Sequence, residues 1–155
     1  MPNNKNILIC RVNHDSTTRY VYTWAGKIKE EAKLLGFNVI ELKNENFDEE
    51  KLDKMIIEHD PFLIFFNAHG SQYSIKGMDG ETDIVTRCKN DHLLKDRIVY
   101  ALSCHTFSIL GHSAKNKGCK CYIGYNNEFR FPFLELSEDK VFEDEISEPF
   151  MRVSN

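Results

Sequence analysis

Phe62-Leu63-Ile64-Phe65-Phe66-Asn67-Ala68-His69-Gly70 is the stretch on which the reading of the fold turns. Pro61 stands before it and breaks the helical pattern that precedes it. Residues 62–66 are apolar without alternation, and the run is too short for a buried helix. That pattern predicts a central strand covered on both faces, as in a parallel sheet. The strand would deliver Asn67, Ala68, His69 and Gly70 to its carboxyl end.

Working outward, Ile98-Val99-Tyr100-Ala101-Leu102 is a second buried run, and it ends in Ser103-Cys104-His105-Thr106. Ile7 to Val12 is a third, ending in Asn13-His14-Asp15 and followed by Ser16, Thr17, Thr18 and Arg19. Residues 37–42 and 120–124 add two more strands. Between them lie amphipathic stretches. Val21, Trp24, Ala25, Ile28, Ala32 and Leu35 recur at helical spacing over 18–35, and Gly36 suits the residue just past the helix end. Residues 48–59 form a second helical pattern with Asp48 as its N-cap. Residues 107–117 form a third, closed by Gly118. Residues 71–91 carry no long apolar run and read as a small surface hairpin and loop. Strands alternating with helices imply parallel crossovers and a three-layer α/β/α sandwich with a mostly parallel sheet.

The chain has 155 residues, the size of one domain. Residues 135–148 hold seven acidic residues against one lysine, with an apolar stripe of Val141, Phe142, Ile146 and Phe150. The segment 135–155 therefore reads as an acidic amphipathic tail. The abrupt stop at Asn155 fits a piece of a longer protein. A formal charge of −4 without a Lys/Arg stripe argues against a nucleic-acid partner. No apolar run reaches membrane-spanning length. The polar start predicts a cytoplasmic protein. Five cysteines, an odd count without framework spacing, argue against a disulfide scaffold. Cys119-Lys120-Cys121 lacks the spacing of a zinc pair, so no metal is expected. No glycine-rich phosphate loop follows the first strand, and no cofactor is expected.

Ligands of open parallel sheets bind at the carboxyl ends of the strands. Two of those ends carry a base and a nucleophile, His69 and Cys104. If their strands are neighbours, the imidazole can take the proton of the thiol. The amides of Gly70 and Cys104 would then face a substrate carbonyl as an oxyanion hole. Each residue alone has a plainer reading: a small buried cysteine, and a histidine in a turn. His14, His105 and His112 read by default as surface or supporting residues.

The run 62–70, the piece Ser74-Ile75-Lys76-Gly77-Met78-Asp79-Gly80 and the run Arg97 to Cys104 together resemble the caspase-like cysteine peptidases. That group carries a strand ending in His-Gly, a small hairpin, and a strand ending in Cys. Residues 107–114 and 122–125 are similar to the following helix and strand of the CHAT-type and gingipain-like members, and the likeness spans roughly 5–126. The resemblance implies a caspase-like domain with flavodoxin-like strand order, His69 as general base, Cys104 as nucleophile, and the Gly70 amide in the oxyanion hole. It implies a cysteine endopeptidase acting on a protein or peptide, with a regulatory partner or fused domain. Leu102-Ser103-Cys104-His105-Thr106 replaces the caspase signature around the nucleophile, so aspartate specificity is not carried over. Asp15, Arg19 and Ser103 are the candidate substrate contacts. Arg19 would select an acidic residue and Asp15 a basic one, while the plainer readings make Asp15 a helix cap and Arg19 a solvated first-turn residue. The alternatives are a non-catalytic binding domain on the same sheet and a small-molecule cysteine amidohydrolase.

Overall fold

The computed structural model describes residues 5–129. The acidic segment 135–155 lies outside them. Strand β1 (Asn6–Arg11) leads to helix α1 (Ser16–Leu34), β2 (Asn38–Lys43), α2 (Glu49–His59) and β3 (Leu63–Asn67). A hairpin of β4 (Ser74–Lys76) and β5 (Asp83–Thr86) follows, then β6 (Ile98–Leu102). A wide π-type turn over Phe107–Gly111 runs into α3 (His112–Asn116), and β7 (Cys121–Ile123) is the last strand described.

Five strands form one sheet in the order β2-β1-β3-β6-β7. Every neighbouring pair in it is parallel. The antiparallel hairpin stands apart as its own small sheet. With the hairpin set aside, this is the 2-1-3-4-5 order, whose direction of winding reverses between β1 and β3. The architecture is the α/β/α sandwich that the alternation of runs predicts.

The two faces are filled by complementary stripes. On one face Leu8, Cys10, Ile64, Phe66, Val99 and Ala101 meet Leu52 and Ile56 of α2 and Ala114 of α3. On the other, Ile7, Ile9 and Phe65 meet Ala25, Ile28 and Ala32 of α1. Tyr20, Val21 and Trp24 of α1 close over Leu102 nearby. Alternate residues of β1 and β3 thus serve opposite cores, which is why both strands read as unbroken apolar runs.

The helix ends follow local chemistry. Asp15 caps α1 through a reciprocal capping box with Thr18, and Asp48 caps α2 by accepting from the Lys51 amide. Gly36 takes a left-handed conformation (φ +83°) just past α1, where a side chain would be strained. One expectation needs correcting. The stretch 107–117 is not a uniform α-helix, because its first turn is wide and only residues 112–116 are α-helical. Gly111 sits where a Cβ would come within 2.8 Å of the Tyr122 ring, so this turn lies hard against β7.

Candidate active site

The site is built at the carboxyl ends of β1, β3 and β6. Asn67 of β3 is in register with Leu102 of β6. His69 and Cys104 each lie two residues beyond that pair, so the two neighbouring strands release them at one level of the sheet edge. Cys104 is partly exposed there.

Gly70 presses directly on the cysteine turn. A Cβ on it would fall 2.6 Å from Thr106 Cγ2, 2.8 Å from the Cys104 carbonyl oxygen and 2.9 Å from Ser103 Cβ. No side chain fits, so glycine is required by close approach rather than by φ. Gly70 also bridges to Ile75. The hydrogen bonds flanking that bridge run from the Lys76 amide to the His69 carbonyl (2.9 Å) and from the Ser71 amide to the Ser74 carbonyl (2.8 Å). Gly70 is therefore at a position of the antiparallel ladder whose own N–H points out of it.

His69 Nε2 lies 2.8 Å from Asp15 Oδ2. The other oxygen, Oδ1, accepts the Thr18 amide at 2.8 Å, while the Thr18 hydroxyl accepts the amides of His14 and Asp15. The cap of α1 thus fixes the carboxylate that holds the imidazole. With Nε2–H donating to Asp15, Nδ1 carries the lone pair of the neutral ring. Partial burial pushes the Asp15 carboxyl up, but hydrogen bonds from the Thr18 amide, the His69 ring and the Thr18 hydroxyl outweigh it and hold it below its ordinary value. The His14 ring meets His69 edge to face, 6.1 Å between centroids. Gly80, at φ +73° in the turn of the hairpin, lies against both: a Cβ there would sit 3.2 Å from His14 Cδ2 and 3.6 Å from His69 Cδ2. A groove of about 430 Å³ opens beside His14, with Phe47, Met78 and Ile84 among its apolar walls.

The turn after β6 is held by the Thr106 hydroxyl donating to the Ser103 carbonyl at 3.1 Å. His105 adopts φ +61°, unusual for a residue with a side chain. The Phe129 amide donates to Cys104 Sγ at 3.3 Å. The other thiols have different settings. Cys10 is sealed in the core and Cys119 nearly so, and burial pushes both thiols up. Cys88 and Cys121 are exposed, Cys121 in register with Ile98 at the far end of β6.

The remaining candidates divide. Asp15 is the helix cap that one sequence reading expected, and both of its oxygens are engaged. Its contact with His69 had no sequence signal of its own. It becomes visible only once β1 and β3 are known to be neighbours. Arg19 is exposed on the first turn of α1, as its plainer reading had it. Ser103 is corrected as a substrate contact: it is 2% exposed, and its hydroxyl has no hydrogen-bond partner among the described residues. Its Cβ faces Gly70, so the side chain is enclosed between the two strand ends. His105 is tied through Nδ1 to the Asn126 carbonyl, and the His112 ring packs at a tilt against Phe107. Among the described residues no group of three His, Cys, Asp or Glu side chains is placed to hold a metal ion, and no helix is long and apolar enough to cross a membrane. No protein-family model matches the chain, and no curated protein matches it significantly.

Proposed function

We propose that this chain is a cysteine endopeptidase whose nucleophile is Cys104 and whose base is His69. The observation that carries the reading is the arrangement of β3 and β6, neighbouring strands in register that bring His69 and the partly exposed Cys104 to one level of the sheet edge. The chemistry starts with the Cys104 proton passing to His69. The thiolate then adds to a peptide carbonyl, and the oxyanion is met by the Gly70 and Cys104 amides. Collapse breaks the C–N bond, His69 returns the proton to the departing amine, and a thioester remains. Water, deprotonated by His69, cleaves the thioester and frees the acid. Asp15 supports the imidazolium that forms twice in this cycle and keeps its ring in one orientation. The groove beside His14, whose ring meets that of His69, offers an extended peptide apolar walls on the His69 side of the site.

A library of internally quenched peptides, with products read by mass spectrometry, tests the reading. Cys104→Ala and His69→Ala should each abolish cleavage while leaving the circular dichroism spectrum and melting temperature close to wild type. Cleavage retained in Cys104→Ala would remove the mechanism. Cleavage confined to small amides, with none in the peptides, would make the protein an amidohydrolase instead.

A further inference from the structure

The thiol of Cys104, though partly exposed, is met on one side by the protein's own chain. Beyond β7, residues 125–129 turn back over the cysteine loop and run antiparallel to it. The Phe107 amide donates to the Tyr125 carbonyl at 3.1 Å and the His105 amide to the Asn127 carbonyl at 3.2 Å. The His105 ring and the Ser108 hydroxyl both reach the Asn126 carbonyl, at 3.1 and 3.0 Å. The next step along this ladder is the Phe129 amide on Cys104 Sγ. Tyr125 and Phe129 pack on each other, 5.0 Å between rings, and both pack against the cluster of Tyr20, Val21, Trp24 and Leu102. The segment is therefore anchored by main-chain bonds at one end and by an aromatic pair across its length.

A sulfur that attacks a carbonyl must turn a lone pair toward the carbon, with the substrate's main chain close beside it. Here an amide N–H of the protein occupies that neighbourhood. We propose that residues 125–129 are an autoinhibitory strap, closed over Cys104 in the resting chain and lifted before a substrate can reach the sulfur. The inference rests on the peptidase reading and adds its regulation. His105, whose amide donates to Asn127, is also the residue with the left-handed backbone, so the strap grips the strained residue that follows Cys104.

Phe129→Pro removes the amide that meets the sulfur, and Phe129→Ala keeps the amide but removes the ring. Alkylation by iodoacetamide at pH 7, followed by peptide mass spectrometry, reads Cys104 against Cys88 and Cys121, exposed thiols of the same molecule. In wild type Cys104 should alkylate no faster than those two. In Phe129→Pro its rate should rise by about tenfold, equivalent to about 1.4 kcal/mol, with Cys88 and Cys121 unchanged and peptide turnover rising in step. Phe129→Ala should give a smaller rise. Hydrogen exchange of the 125–129 amides in the wild-type chain should be slow, and faster once Cys104 is carboxamidomethylated. A Cys104 rate that is unchanged or lower in Phe129→Pro overturns the strap, and a lower rate would make the amide a support for the thiolate. Adding His69→Ala to Phe129→Pro separates this inference from the one beneath it. If the gain over the exposed cysteines disappears, the pair of His69 and Cys104 is upheld. If it persists, the strap stands and the dyad falls.

Discussion

Asp15 serves two structures with one carboxylate, since Oδ1 caps the start of a helix and Oδ2 orients an imidazole. The two roles separate by substitution. Asparagine caps a helix about as well as aspartate, whereas alanine costs typically about 1 kcal/mol. Asp15→Asn should therefore melt close to wild type, yet its kcat for peptide cleavage should fall on the order of a hundredfold, because the imidazolium loses its counter-charge. Asp15→Ala should lose both. A fall in melting temperature with unchanged kcat in Asp15→Asn would reduce the carboxylate to a cap. The pH dependence has a definite sign. The Asp15 carboxyl ionises more readily in the folded chain than in the unfolded one. Its contribution is complete above the ordinary carboxyl range near about pH 4 and is lost as pH falls through the lowered folded value. The gap in melting temperature between wild type and Asp15→Ala should then be constant from neutral pH to that range and narrow below it, as thermal scans at stepped pH would show.

At the scale of elements, the site is a matter of how closely β3, β6 and the hairpin come together. Gly70→Ala places a methyl against the Cys104 carbonyl oxygen and against Thr106, neither of which is the loose end of a flexible chain. Overpacking of this kind costs about 1–3 kcal/mol, and the displacement falls on the turn that carries Cys104, the proposed nucleophile. Urea denaturation should show the loss of stability, and turnover should fall further than stability alone explains. Residues 62–66 and 98–102 announced their strands because burial on both faces leaves no alternation, and Asp15, Asp48, Gly36 and Gly118 marked helix ends through local chemistry. His69 and Cys104 stood out because each closes such a run. What sequence could not supply was contact across the fold. Asp15 and His69 are 54 residues apart and meet only because β1 lies beside β3. The 125–129 strap was equally hidden. Every hydrogen bond described for it uses one of its own main-chain groups, which leaves no residue pattern in 125–129, and the wide turn at 107–111 looks like ordinary helix until packing against Tyr122 is known.

At the scale of the whole molecule, the edge that carries the candidate site is only as fixed as the strands beneath it. The switch of winding direction between β1 and β3 opens the crevice in which Asp15 and His69 meet, and Cys104 arrives from the next strand along. All three strands share the core beneath α2 and α3, where Phe66 of β3 is fully buried between Cys10 and Ala101, its register partners on β1 and β6. Phe66→Ala should cost about 3–5 kcal/mol, a large part of the roughly 5–15 kcal/mol that holds a domain together. Ile57, 72% exposed on α2, is the matched control: Ile57→Ala should change stability by no more than about 0.5 kcal/mol. Urea midpoints give the two values directly. The informative comparison is then made in dilute buffer, where any folded Phe66→Ala still has His69, Cys104, Asp15 and Gly70 unchanged. If a cavity three residues behind His69, and level with Ala101 three residues behind Cys104, lets them drift, turnover per folded molecule should fall in Phe66→Ala and stay at wild type in Ile57→Ala. Turnover that tracked only the folded fraction would mean that the hairpin and the α1 cap hold the edge without help from the core.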